Sequence, residues 1–313
     1  MHHDSTAAAS PGPRAVTHDL AVRGPWSLAT SRRFWEGFAP QRLAAHEGPL
    51  TTVFRADRTW EALRAQVVQD GATARITVGR TDGAAPSDPD AAIAQVARFL
   101  SLDVDATPWQ EVGARDAVIG ALQSELPGLR PCGFHSPYEA AAWAVLSQRI
   151  RITQAASLRE HLTADLGEDG AFPAPGALLE ADPDLPGRKA EYLRAVARAA
   201  LEGILDGAHL RALDPADALE EVQGILGLGP FAAELVVIRG ANAPDALPRN
   251  ERRLAQEITE RYGEDADPAA VSEGWRPLRT WASVLLRIAR EERTGEIEGR
   301  RPGGRPSGRP GRR

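Results

Sequence analysis

Residues 223–240, QGILGLGPFAAELVVIRG, place Gly227 and Gly229 on either side of Leu228, between two segments whose apolar residues recur at helical spacing. Two glycines so close together permit a hairpin too tight for ordinary side chains. The first backbone amides of the second helix have no partner within it and point outward. Amides of this kind bind phosphate through the helix-terminus dipole and need no lysine. The same spacing also serves a plain turn between two helices with a glycine C-cap. The rest of the chain has to decide between the two.

The 313 residues are 42% hydrophobic and 26% charged, enough for two or three compact units. No apolar run approaches the roughly 18 residues of a membrane span. The start, MHHDSTAAASPGPR, lacks the apolar centre of a secretory signal. A cytoplasmic protein with no membrane partner is expected. Cys132 is the only cysteine, which excludes an internal disulfide, a multi-cysteine zinc site and a four-cysteine iron-sulfur cluster. A net charge of −6 argues against holding nucleic acid mainly through cationic surface, so any DNA contact has to be local. Lys189 is the only lysine, and arginine supplies the remaining positive charge.

The expected fold class is α+β. Residues 1–17 are rich in Ala, Ser and Pro, and 292–313 in Gly, Pro and Arg; both are expected to be disordered. The basic tail either adds phosphate contacts or serves only as a solubilising extension. Residues 18–112 predict an α+β domain with a small antiparallel sheet. LTTVFRA (50–56) and ATARITVGR (72–80) alternate with period two, while DPDAAIAQVARFLSL (88–102) has helical spacing after an Asp-Pro start. Residues 113–291 predict an all-helical region, with SPYEAAAWAVLSQRIRITQAASLREHLTADLG (136–167) read as one helix. No repeat of 20 to 50 residues is present, which excludes a solenoid.

RGPWSLATSRRFW (23–35), QVARFLSLDVDATPW (95–109), PGLRPCGFHSPYEAAAWAVLSQRI (127–150), GRKAEYLRAVARAALEG (187–203), ILGLGPFAA (225–233), DALPRNERRLAQEITERYG (245–263) and WRPLRTWASVLLRIARE (275–291) follow one another in this order. Together, over residues 18–290, they resemble the alkylpurine (3-methyladenine) DNA glycosylase II family of the helix-hairpin-helix superfamily. The resemblance implies a sheet domain beside two helical lobes, 136–243 and 113–135 with 244–291. It implies a monomeric, monofunctional base-excision-repair glycosylase that acts on double-stranded DNA and hydrolyses the N-glycosidic bond of a flipped, alkylated base. Gln148, Arg149, Gly227, Leu228, Gly229 and Phe231 would contact DNA. No cofactor is required, though backbone carbonyls of Gln223, Ile225 and Leu228 would hold a sodium or potassium ion between hairpin and phosphate. Arg149 matches the wedge that fills the gap left by the extruded nucleotide; as a solvated helix arginine it would not.

Cleaving the bond builds positive charge on the sugar, which a carboxylate must offset. The family's catalytic aspartate follows a proline after the hairpin helix, and LPRNERRLAQEI (247–258) has none. Counting from Leu254, Ile258 and Tyr262 selects Glu251, whereas counting from Pro248 selects Asn250. Glu251 is preferred because a neutral amide cannot offset a cation. The Asn-Glu pair is equally a good helix start. Glu is also one methylene longer than Asp, and a displacement of about 1 Å can cost on the order of a hundredfold in rate. The superfamily's Schiff-base lysine corresponds to Phe231, which removes that lyase route. The base pocket maps to Phe231, Leu235 and Leu278, of which only Phe231 is aromatic, with Trp281 one turn beyond Leu278 as a replacement. Trp143 and Trp275 are assigned to the core. The missing aspartate and the thinned aromatic pocket leave as an alternative a catalytically impaired lesion-binding protein of the same fold; a helical scaffold for another protein is least favoured, because it leaves the hairpin without a purpose.

Overall fold

A computed structural model describes residues 12, 14–32 and 48–295. Four strands come first: β1 (Val16–Ala21), β2 (Leu50–Arg55), β3 (Ala62–Asp70) and β4 (Thr73–Arg80), in the spatial order β1-β4-β3-β2, with every pair antiparallel. Gly71 and Ala72 join β3 to β4 so that Asp70 faces Thr73, and Gly71 takes the left-handed φ of 55° that so short a loop demands. Alternate residues Leu63, Ala65 and Val67 of β3 and Ala74, Ile76 and Val78 of β4 form one buried face. Helix α1 (Pro89–Phe99) covers it, started by the Asp88 carboxylate accepting from the Ala91 amide.

Val16 and Thr17, expected in the disordered start, instead belong to β1; residues 1–11 and 13 lie outside the described residues. The edge strand VTHDLA is mostly exposed and so carries no alternation to read. Among the described residues no helix is long and apolar enough to cross a membrane.

The helical region has two further cores. The first is built on α4 (Pro137–Leu146), every residue of which is buried, with α5 (Ile152–Leu166), α6 (Pro175–Glu180), α7 (Lys189–Leu201), α8 (Gly207–Ala212), α9 (Pro215–Gln223), α10 (Pro230–Leu235) and a π-helical turn, Val236–Gly240. The second joins α2 (Trp109–Arg115) and α3 (Ala117–Glu125) to α11 (Arg252–Tyr262), α12 (Pro268–Glu273) and α13 (Arg279–Thr294). Val104, Trp109 and Val112 pack in this last core, so the sheet domain gives way between Leu102 and Val104, earlier than residue 112. Helix α13 likewise runs past residue 292, its end held by Arg293 on Glu257 at 2.6 Å; residues 296–313 lie outside the described residues.

Arg58 ties the sheet domain to the first helical core by meeting Asp206 at 2.7 Å, and beside it Arg98 meets Asp57 within the sheet domain at 2.6 Å. Burial is the largest influence on Asp57 and raises its pKa from 3.8 to about 6, although Arg98 pulls the other way. Cys132 is buried where the segments meet, and burial pushes its thiol up to about 12.

Candidate functional site

The hairpin leaves α9 at Gly224, whose amide still bonds back to Glu220 at 3.1 Å. The chain reverses at Gly227, with φ of 94°, and the Leu228 amide donates to the Ile225 carbonyl at 3.0 Å. A Cβ on Gly227 would stand 2.4 Å from Cγ of Tyr192, so both conformation and space require glycine there. Gly229 is the N-cap of α10, and a Cβ on it would meet nothing within 4 Å. Ile225 and Leu228 anchor the turn in the core, while Leu226 and Phe231 stand exposed on either side. The backbone at Gly229 is therefore open to approach.

Residues 136–167 form two helices, not the single one expected. The helix stops at Leu146 and resumes at Ile152, and Arg149, between them, has φ of 56° and is exposed. Left-handed backbone at a non-glycine residue ends a helix locally. Arg149 is thus presented on a loop, not along a solvated helix face. Lys189 holds that loop from beneath: its Nζ donates to the Val145 and Gln148 carbonyls, each at 2.8 Å, and burial lowers its pKa. Gln148 in turn donates through Nε2 to the Gly227 carbonyl at 2.8 Å. One polar chain, Lys189 to Gln148 to Gly227, joins the Arg149 loop to the hairpin.

Beside this unit opens a cleft of about 860 Å³ between the two helical cores. The first core contributes Phe134, Trp143, Phe231, Leu235 and Ile238; the second contributes Pro248, Glu251, Ser283, Val284 and Arg287. Glu251 and Phe231 therefore face the same cavity. Glu251 is the N-cap of α11, with Oε1 accepting from the Arg253 amide at 3.0 Å and Oε2 lying 3.7 Å from Nε of Arg287. Its two roles, capping a helix and lining a cavity, coexist. Asn250 does not line the cleft: its Nδ2 donates at 2.8 Å to Glu234, whose carboxylate also accepts the Arg249 and Asn250 amides at 2.9 Å each.

The pocket walls differ from expectation. Leu278 and Trp281 do not line the cleft but lie in the last core, each 1% exposed. The Trp281 ring is occupied on its own account, with the Arg130 guanidinium 5.3 Å from its centroid and Trp109 packed edge-on at 5.6 Å. Trp143, assigned to the core by sequence, is buried and also lines the cleft, as does Phe134. Trp275 is fully buried. Helix α4 is buried all round, so its pattern gives no direction to any one residue. Arg239 and Arg287 were also missed, though an arginine inside the apolar run SVLLRIAR (283–290) is a legible anomaly. Arg239 sits in the π turn, a distortion frequent at functional sites, and donates to the Cys132 carbonyl at 2.7 Å. Burial, with Arg287 nearby, pushes its guanidinium down to about 10.

No family model matches the chain. A DNA-3-methyladenine glycosylase of Bacillus subtilis (strain 168) is 26% identical over 60% of this chain and 68% of its own length. A probable bifunctional transcriptional activator/DNA repair enzyme AlkA of Mycobacterium tuberculosis is 28% identical over 62% of this chain, but the match spans only 42% of that longer protein. Among solved structures, the 3-methyladenine DNA-glycosylase of Archaeoglobus fulgidus superposes with a TM-score of 0.67 at 17% identity, over 88% of this chain and 98% of that one. MBOgg1 in complex with a low-affinity DNA ligand gives 0.65 at 19% identity, over 89% and 96%. Similar in sequence to DNA-3-methyladenine glycosylases, the chain has the fold of the helix-hairpin-helix glycosylases, with a small antiparallel sheet ahead of two helical cores.

Proposed function

We propose that the protein is a monofunctional DNA glycosylase of base-excision repair, which binds double-stranded DNA as a monomer and hydrolyses the bond between deoxyribose and a flipped, damaged base. Alkylated bases are the class named by its relatives. The observation that carries the proposal is Glu251 opening into the cleft that Phe231 and the hairpin helix also line.

In this reading the exposed amide end of α10 takes a phosphate at Gly229, and Arg149 fills the space the extruded nucleotide leaves. The damaged base enters between Phe231, Leu235 and Trp143. As the C1′–N bond breaks, positive charge develops on the sugar and the Glu251 carboxylate offsets it. Water adds to C1′, its proton leaves to solvent or to the departing base, and an abasic sugar and a free base result. Arg287 stands beside this carboxylate, its Nε 3.7 Å from Oε2. A sodium or potassium ion would be held by the carbonyls of Gln223, Ile225 and Leu228, hard oxygen donors beside the open space at Gly229. Its contribution would be to bridge hairpin and phosphate.

The test is base release from duplexes carrying methylated, deaminated or etheno-modified bases. Glu251→Gln is expected to keep lesion binding and to lower single-turnover release by about a hundredfold or more, the usual cost of one electrostatic catalyst. Release by the variant at the parental rate would reject Glu251 as the engine.

A further inference from the structure

Glu234 is an anomaly of the hairpin helix. It stands in the apolar run FAAELVV (231–237), is only 5% exposed, and lines the cleft with Phe231 and Leu235. A carboxylate is costly to bury unless hydrogen bonds satisfy its oxygens. Here Oε1 accepts from the Arg249 amide at 2.9 Å and from Nδ2 of Asn250 at 2.8 Å, while Oε2 accepts from the Asn250 amide at 2.9 Å. All three donors belong to the two residues immediately before Glu251.

That segment has no regular structure to hold it. Between the π turn, which ends at Gly240, and α11, which begins at Arg252, the chain forms neither helix nor strand. Thr280 of α13 fastens its first part: the hydroxyl accepts from the Ala246 amide at 3.2 Å, and the Thr280 amide donates to the Pro244 carbonyl at 3.1 Å. Pro248 has no amide to contribute. The last part rests on Glu234. Two consecutive amides, each on its own oxygen of one carboxylate, fix both the place and the direction of the backbone. Glu251 follows at once and is tied forward by its bond to the Arg253 amide. The hold also crosses between cores, since α10 packs in the first and α11 in the last. It therefore sets the distance from Glu251 to the cleft wall that Phe231 and Leu235 form. An acid that offsets a cation on the sugar depends on that distance, because a displacement of about 1 Å can cost on the order of a hundredfold in rate.

Resting on the glycosylase function, we propose that Glu234 is a positioning residue of the reaction: it acts through Glu251, by holding Arg249 and Asn250 so that the neighbouring carboxylate faces the sugar of the base in the cleft.

The experiment is a double-mutant cycle between positions 234 and 251. Single-turnover release is measured on whichever methylated, deaminated or etheno-modified duplex the parent acts on fastest, and affinity by anisotropy on a duplex carrying a tetrahydrofuran abasic analogue. Glu234→Met, which removes every acceptor, is expected to slow release by about thirtyfold or more and to leave affinity within about threefold. Glu234→Gln, which keeps one acceptor oxygen, should fall between the two. In the Glu251→Gln background, Glu234→Met should cost less than about threefold further, because the group it positions is already gone. Equal losses in both backgrounds, or affinity falling in step with rate, would leave Glu234 a merely structural residue and overturn the proposal. Should Glu234→Met fail to fold, as thermal melting would show, Glu234→Gln runs the same cycle. Release of no base by the parent counts against the glycosylase function instead. Hydrogen exchange then decides the hold itself: the Arg249 and Asn250 amides should exchange at least about tenfold faster in Glu234→Gln with α11 unchanged, and unaltered exchange there overturns the proposal.

Discussion

At Gly227 a hydrogen atom occupies a place where a methyl group would press on the Tyr192 ring, while two residues later Gly229 faces open space. The two glycines therefore fail in different ways. Gly227→Ala combines the cost of left-handed backbone, about 1–2 kcal/mol, with the collision against Tyr192. A loss of about 2 kcal/mol or more in denaturant unfolding is expected, together with weakened DNA binding. Gly229→Ala has ordinary backbone at φ of −86° and room for its methyl group, so stability should stay within about 0.5 kcal/mol. Its DNA affinity should still fall, because the methyl group stands where a phosphate must approach the amides. Anisotropy titration of an abasic duplex beside a urea melt separates the two cases.

Among the elements, the end of α4 depends on a residue from α7. Lys189 donates to the carbonyls of Val145, which also accepts the Gln148 amide, and of Gln148, and replacing it with methionine should cost about 1–3 kcal/mol, read as a shift in the urea midpoint. The amine is committed to that task, so borohydride reduction during turnover should trap no protein–DNA adduct; a trapped species would restore lyase chemistry. The hairpin and the acid after it were legible in the sequence because glycine spacing and the start of α11 are local signals. The break at Arg149 was not, since helical periodicity runs through 136–167 and only tertiary contacts, Lys189 beneath and the hairpin alongside, interrupt it. That Trp143 also reaches the cleft while Trp281 stays out of it was hidden for a related reason. Both lie on helices buried over most of their surface, where the neighbours that face each ring come from distant segments.

For the whole molecule, three cores meet around groups whose ionisation depends on the fold. Asp57 has a native pKa raised from 3.8 to about 6, so the native state binds its proton more tightly than the unfolded chain does. Its contribution to stability is complete below about pH 4 and lost as pH rises through about 6. Glu139 runs the opposite way: although burial is the largest influence and raises it, His135 and Arg159 together hold it down at about 2, so its contribution exists above 4.5 and fades as acid is added. Subtracting the stability–pH curve of Asp57→Asn from the parent's isolates the first effect, expected to be on the order of 3 kcal/mol across the window. A flat difference would mean that Arg98 keeps Asp57 fully ionised. Cys132 reports on the same junction, since a buried thiol raised to about 12 should ignore disulfide reagents until the cores separate and then yield one thiol per chain.

The strut from Lys189 through Gln148 to Gly227 also fixes the span between the loop proposed to enter a duplex and the hairpin proposed to grip its strand. A rigid gauge of that kind does not adjust to what it measures. If DNA bends to touch both ends at once, a duplex already softened at a faulty pair bends more cheaply. The protein would then sense damage first as mechanical compliance, before any base reaches the cavity. Cutting the strut with Gln148→Ala should narrow the difference in affinity between a mismatched and a matched duplex.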